Sequence, residues 1–381
     1  MKGIKWKRNG LAVLAVMLSA VLVVAIVGCG GSGSSSGSAS ASASTSASAS
    51  GEKTFVYGTT GYGVQMEDNG LDPHNGYFGW SCLRYGVGET LFKFSDSMEP
   101  EPWLATGYEL VDETHWKITL RDDVTFTSGR AMDGEAVKEC LDHLIANHDR
   151  APSDMKISNI TAEGNTITIE TSEPCPALIN YLCDPYGCIV DEQAGVTGQS
   201  IVAGTGPYVA SDLNDTEITL HKNENYWNGE PKVDTVIVRS FTDADSLQSA
   251  LQSGEVNATY GLAYASYPLF QNDQYNISDC YTSRTFFGEF NFDSAIMQDD
   301  AVRKAISMGI NKEGFVDTLL NGRGQVAKGP FPASMAFGDD TVTTENYDPD
   351  GAKEVLEEAG WVDSDGDGIR EKDGQKLTVR W

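Results

Sequence analysis

The chain has 381 residues, 40% hydrophobic and 22% charged, a balance that suits a globular protein with room for two domains. Its 55 acidic side chains outnumber 27 basic ones, for a formal net charge of −28. That excludes a nucleic-acid binder, whose partner's phosphates demand Lys and Arg, and leaves a solvated acidic surface or a cleft for cations.

The N-terminus reads as an export signal. Lys2, Lys5, Lys7 and Arg8 form a basic region, and Leu11 to Val27 is apolar apart from Ser19. Ile26-Val27-Gly28-Cys29 then fits a lipobox, which makes residues 1–28 a signal peptide and Cys29 the acylated new N-terminus. The apolar run falls short of the roughly 20 residues of a spanning helix, so an uncleaved anchor is the weaker alternative. Either way the protein is expected to be extracytoplasmic, held at the outer face of the plasma membrane or in the periplasm. Residues 30–50 are only Gly, Ser, Ala and one Thr, so 29–52 form a flexible linker with a reach of roughly 25 Å. Gly33-Ser34-Ser35-Ser36-Gly37 matches the nucleophile elbow of hydrolases, but no strand precedes it and no helix follows.

Thr54 to Tyr57 reads as a first strand running into the glycine-rich 58–63. Leu71-Asp72-Pro73-His74 follows, then Tyr77, Phe78 and Trp80, three aromatics among glycines that suit either pocket walls or core. Residues 84–91 read as helix into strand. From Trp116 to Leu120 apolar and polar side chains alternate, the period of a half-buried strand. Ser128-Gly129 supplies a turn, and Asp133 is the expected N-cap of a helix whose stripe is Ala136, Val137, Cys140, Leu141, Leu144 and Ile145. Asn165 to Glu170 alternates again as a strand.

Pro174, Pro176 and Pro185 punctuate a segment holding Cys175, Cys183 and Cys188. Gly204 and Gly206 permit a tight backbone path, with Pro207 opening a strand that needs no donor from it. Val209 stands where a dinucleotide fingerprint would need its third glycine. Residues 217–220 and 233–238 read as strands, and Leu247, Ala250 and Leu251 as a helix stopped by Gly254. Val302, Ala305 and Ile306, then Phe315, Val316, Leu319 and Leu320, predict two helices separated by a cap at Asn311. Asp348-Pro349 starts a further helix ended by Gly360, and 376–381 reads as a last strand.

Several of these stretches together resemble the family 5 extracellular solute-binding proteins, the peptide and nickel receptors of ABC importers. The resemblance is carried by the strand, turn and helix around Leu120-Arg121-Asp122-Asp123-Val124, by Gly88-Glu89-Thr90-Leu91 standing in for the family's Tyr-Glu-x-Leu, by 204–208 with Asn223-Glu224-Asn225-Tyr226-Trp227, and by 302–312. It implies a two-lobed α/β architecture of the type II periplasmic-binding-protein kind, with mixed sheets flanked by helices. The first lobe would span 53–283; the second would begin at 284–381 and be incomplete, because family members continue further. It implies a monomeric receptor, not an enzyme and without cofactor, that captures short peptides between hinged lobes and delivers them to a permease and its ATPases. A nickel chelate is the alternative ligand. Tyr77, Phe78, Trp80 and Tyr186 are the expected walls of the first lobe, Tyr186 lying where the nickel receptors place an arginine.

Two other chemistries were weighed on the residues. Asp363-Ser364-Asp365-Gly366-Asp367-Gly368 resembles the first half of a calcium loop, which makes Asp363, Asp365 and Asp367 candidate ligands, but position 12 is Gly374 rather than a bidentate Glu. A calcium-stabilised adhesin would use this loop; a secreted hydrolase would need a nucleophile and base that the sequence lacks. His143 and His148 lie five apart, roughly 140° around a helix, and no HExxH, CxxC or closed zinc set occurs. Besides Cys29 there are Cys82, Cys140, Cys175, Cys183, Cys188 and Cys280, whose spacing leaves the disulfide pattern open, with Cys140 expected as a small core hydrophobe.

Overall fold

Two sheets organise the described residues up to 260, one built by local hairpins and one by distant segments. The computed structural model describes residues 52–60, 70–75, 79–196, 201–279, 282, 284–332, 335, 338 and 341–380; Cys29, Tyr77, Phe78 and Cys280 lie outside them. The described chain begins with β1 (Thr54–Thr60), α1 (Gly79–Arg84), β2 (Glu89–Thr90), β3 (Phe92–Phe94), β4 (Pro100–Pro102), β5 (Ala105–Leu110) and β6 (His115–Leu120). Next come α2 (Gly134–Asn147), α3 (Ala151–Met155), β7 (Ile157–Glu163), β8 (Thr166–Thr171), α4 (Leu178–Tyr181) and β9 (Cys188–Ile189). It continues with β10 (Tyr208–Leu213), β11 (Glu217–Lys222), β12 (Thr235–Phe241), α5 (Ala244–Ser253) and β13 (Ala258–Tyr260). The final elements are α6 (Asp300–Gly309), α7 (Pro349–Glu358), β14 (Glu371–Lys372) and β15 (Gln375–Lys376).

The local sheet has the order β5-β6-β8-β7, all antiparallel. On β6 the alternation holds as read: Trp116, Ile118 and Leu120 are buried while Lys117 and Thr119 are exposed. Helix α2 covers this sheet. Asp133 accepts the Ala136 N–H at 2.9 Å and so satisfies one of the donors that a helix start leaves open. The stripe Val137, Cys140, Leu141 and Leu144 is fully buried, and Val137 and the two leucines each contribute about 1.5–3 kcal/mol over an exposed position.

The second sheet has the order β10-β11-β12-β1-β13. Its β10-β11-β12 part is antiparallel, whereas β1 lies parallel to both β12 and β13. The parallel pairing requires a crossover, and α5 supplies it between β12 and β13. Asp243 caps α5 by accepting the Ser246 N–H at 2.7 Å, and Gly254 ends it at φ +78°. β1 runs three residues beyond the expected Tyr57, because Gly58, Thr59 and Thr60 find partners in Arg239, Ser240 and Phe241.

One large core binds these layers, with Leu71, Leu91, Phe92, Leu104, Ile118, Leu141, Ile167 and Ile169 fully buried. A smaller core after residue 290 is made by Met297, Val302 and Trp361, with Ala305, Met308 and Ala352 where α6 meets α7. Asp348 caps α7 on the Gly351 N–H at 2.9 Å and Gly360 closes it at φ +88°.

Three expectations fail locally. The predicted helix after Asn311 is a single turn, Lys312–Gly314, running into a π-helical turn at Phe315–Leu319; Phe315 and Leu319 are exposed, so no packed face regularises it. Residues 377–380 form no strand: β15 pairs with β14 only at Gln375 and Lys376, and beyond them the Leu377 N–H donates once, to the Arg370 carbonyl at 2.8 Å. His148 is not helical but follows α2, its Nδ1 accepting the Arg150 and Ala151 N–H groups at 3.1 Å.

Candidate functional site

Glu89 is the most heavily hydrogen-bonded buried side chain of the first core. Its Oε1 accepts from Trp103 Nε1 at 2.9 Å and from the Tyr226 hydroxyl at 2.7 Å; its Oε2 accepts from Trp227 Nε1 and the Thr205 hydroxyl, both at 2.9 Å. Four donors offset the cost of burying a carboxylate. The glycines bring these groups together. A Cβ on Gly204 would lie 2.0 Å from the Val87 carbonyl oxygen, and one on Gly206 would lie 2.2 Å from that of Gly86, so only glycine lets residues 204–208 lie against 86–89. Arg121 stands 4.1 Å above the Trp227 ring and Lys93 4.3 Å above Trp103, closing the aromatic pair from outside. This hub ties β2 to Trp103 and to residues 205–227.

Of the four expected pocket residues, Trp80 and Tyr186 lie within the described chain. Trp80 is half-buried on α1, its ring 5.9 Å from the Arg84 guanidinium carbon. Tyr186 sits in the tight turn Pro185–Gly187, donates its hydroxyl to Asp154 Oδ2 at 3.1 Å, and meets His148 edge-on at 5.0 Å. Burial, helped by the Asp154 carboxylate, pushes the Tyr186 hydroxyl up to about 12, so it stays protonated and keeps donating. The two segments touch: a Cβ on Gly79 would fall 2.7 Å from that of Pro185 and 2.2 Å from the Pro73 carbonyl oxygen. The fold thus sets Trp80 and Tyr186 on adjoining segments, with the hydroxyl of the second already committed inward.

A third grouping was not legible in the sequence. His74, Cys140 and Glu192 come from three separate segments, yet a ring nitrogen of the first, the sulfur of the second and a carboxylate oxygen of the third all lie within 4.8 Å of one another. His74 Nε2 is 3.1 Å from the Cys188 carbonyl, which only accepts, so the proton resides on Nε2 and Nδ1 carries a lone pair. That Nδ1 is buried with no hydrogen-bond partner among the described residues. Burial holds the imidazole neutral, lowered to about 4. The Cys140 sulfur receives the Val190 N–H at 3.3 Å and faces the Cys188 carbonyl at 3.6 Å, and burial pushes its thiol up. Burial also raises the Glu192 carboxyl, opposed by His143, whose Nδ1 lies 3.6 Å from Glu192 Oε2. Asp72, His143, Val190, Glu192 and Val202 line a small pocket beside them.

The model of the bacterial extracellular solute-binding proteins, family 5, matches residues 99–380. The chain belongs to this family. Among relatives, the nickel-binding periplasmic protein of Escherichia coli is 30% identical over 312 residues, covering 77% of this chain and 59% of that protein. The oligopeptide-binding protein AppA of Bacillus subtilis is 32% identical over 180 residues, 46% of this chain and 33% of AppA. The crystal structure of NikA from Brucella suis in complex with Fe(III)-EDTA matches with a TM-score of 0.74 at 25% identity, covering 86% of this chain and 68% of that one. The chain therefore spans less than two thirds of the length of the curated relatives it matches. The expected fold class holds: this is the α/β architecture of the type II periplasmic binding proteins.

Within this family 5 chain the remaining candidates resolve differently. The Asp363–Gly368 loop folds on its own backbone: Asp363 accepts the N–H groups of Gly366 at 2.7 Å and Gly368 at 2.9 Å, and Asp367 accepts that of Ile369 at 2.8 Å. Carboxylate oxygens of Asp363, Asp365, Asp367 and Glu371 gather within 4.8 Å of one another, and the Lys376 ammonium pairs with Asp367 among them. Gly366 and Gly368 take φ +79° and +85°, which explains the glycine spacing as turn geometry. Cys82, Cys140, Cys175, Cys183 and Cys188 are all free and buried, which answers the open question of pairing among 175, 183 and 188. No helix among the described residues is long and apolar enough to cross a membrane.

Proposed function

We propose that this protein is the substrate-binding component of an ABC importer, capturing short peptides between two hinged lobes and handing them to a permease. The observation that carries the receptor role is the family match across 99–380. Peptide as ligand is supported by the aromatic set. Trp80 is half-buried rather than consumed by the core, and Tyr186, at the arginine position of the nickel receptors, offers no cation for a negative chelate. Aromatic walls accept many side-chain shapes while backbone contacts hold the peptide. Tyr77 and Phe78 are proposed to complete that wall, with residues 53–283 as the first lobe and 284–381 as the beginning of the second. Closure of the lobes would bury the ligand and present the surface the permease reads. A nickel chelate is the second reading, favoured by the 30% identity to the Escherichia coli nickel-binding protein over most of this chain.

Calorimetry on the purified protein tests the choice. Pools of di- to pentapeptides are expected to give saturable heat, and Trp80→Ala to weaken that binding by about 1–3 kcal/mol. Heat from nickel with histidine, and silence from every peptide pool, overturns the peptide reading. We further propose that Cys29 carries a lipid that holds the receptor at the membrane. Cys29→Ser is expected to move the protein from the detergent to the aqueous phase on partitioning; unchanged partitioning would mean that an uncleaved helix is the anchor.

A further inference from the structure

We propose that His74, Cys140 and Glu192, none of them among the proposed ligand walls Tyr77, Phe78, Trp80 and Tyr186, form a site for one divalent cation of the zinc class. The argument starts from His74 Nδ1. It is a lone pair inside the protein with no hydrogen-bond partner among the described residues, while Nε2–H is fixed on the Cys188 carbonyl. That is the arrangement of a metal-binding histidine, whose second nitrogen donates to a carbonyl that sets the tautomer and aims the ring. A thiol and a carboxylate from two other segments lie within 4.8 Å of a ring nitrogen of this histidine, and rotation of the imidazole decides how closely Nδ1 meets them. A tetrahedral ion with bonds of about 2.0–2.3 Å needs ligand atoms roughly 3.3–3.8 Å apart, so a spread within 4.8 Å closes by side-chain rotation.

The donor set selects the ion. Sulfur and imidazole with one carboxylate suit Zn²⁺, whereas Mg²⁺ and Ca²⁺ take oxygen. Binding replaces the thiol proton by the metal and leaves the Val190 N–H donating to the thiolate, which stabilises its charge. Asp72 and His143 line the adjoining pocket; His143, partly exposed and beside Glu192, or a water takes the fourth position. The ion would join the Leu71–Asn75 stretch to α2 and to the segment after β9, three pieces of chain already linked by the His74–Cys188 and Val190–Cys140 hydrogen bonds. Ligation would also keep a buried thiol out of oxidation in an extracellular protein.

The test uses the full-length protein purified in detergent and stripped with EDTA. Zn²⁺ alone, titrated against a chromophoric chelator, is expected to bind with one equivalent per chain, and Co²⁺ alone to give near-ultraviolet thiolate-to-cobalt absorption. Cys140→Ala should abolish that absorption, and Cys140→Ala and Glu192→Gln should each weaken Zn²⁺ binding at least tenfold. Glu192→Gln keeps the shape of a partly exposed side chain, so it remains informative if the buried cysteine variant does not fold. Absence of the cobalt absorption in the parent protein, or equal Zn²⁺ affinity in parent and Glu192→Gln, overturns the proposal. Cargo binding in the cleft would survive both substitutions and is thereby separated from it.

Discussion

Replacing Glu89 by Gln changes one atom of a buried hub and should unfold the protein far more readily. The carboxylate accepts four hydrogen bonds, two at each oxygen. An amide keeps one accepting oxygen and turns the other into a donor. Whichever way it flips, one tryptophan N–H, of Trp103 or of Trp227, faces an NH₂ group and cannot reverse its role. The hydroxyl on that side, of Tyr226 or Thr205, is able to rotate and accept instead. One bond to a charged acceptor is lost outright, at about 1.5–3 kcal/mol, and the remaining bonds drop to neutral strength, for a total of about 2–5 kcal/mol. That is a large share of a typical folding stability of about 5–15 kcal/mol. Urea unfolding followed by tryptophan fluorescence measures it directly. A loss under about 0.5 kcal/mol at unchanged slope would refute the view that this hub holds β2 to residues 205–227.

Two further outcomes follow from the same geometry. Gly204→Ala should cost about 1–3 kcal/mol or more in the same assay, since its Cβ would meet the Val87 carbonyl at 2.0 Å and backbone cannot step aside; a neutral result would show that 204–208 shift freely. Burial pushes the Asp184 carboxyl up to about 6. Its charged form therefore weakens the fold above that pH, and the penalty fades as pH falls toward the ordinary value near 4. Asp184→Asn should raise the melting temperature at about pH 8 and lose that advantage by about pH 4; an equal gain at both would dismiss the buried charge as the cause.

What the sequence disclosed was whatever repeats along the chain. The alternation at 116–120, the stripe from Ala136 to Leu144, and the caps at Asp133, Gly254, Asn311 and Asp348 depend on neighbours a few positions away, and each holds. The helix at 315–320 and the strand at 376–381 fail because periodicity states which face is apolar but not whether another element covers it. The site was less legible. The sequence marks Tyr186 as a candidate pocket residue, but its bond to Asp154 and its contact with His148 depend on tertiary approach. Glu89 lay inside a recognised block with no hint of its four partners. Cys140 read as an ordinary member of an apolar stripe, which it is; that His74 and Glu192 meet it could be known only once α2 and the strand β9 were packed.

The placing of β1 has a consequence for the order in which the chain assembles. Its residues pair with β12 on one side and β13 on the other, and Lys53 just before it donates to Asp234, 181 positions along. The sheet of β5 to β8, by contrast, draws only on residues 105–171: two tight hairpins, β5-β6 and β7-β8, joined through α2 and α3. Loop closure over so long a span is costly before its contacts form, so the antiparallel sheet with α2 is the natural first structure and β1 enters later. A chain appearing N-terminus first therefore carries β1 without a partner strand until Phe241 of β12 has been delivered, and without its second until Tyr260. β1 and then β13, whose one partner strand in the five-stranded sheet is β1, are the last parts of it to find a place.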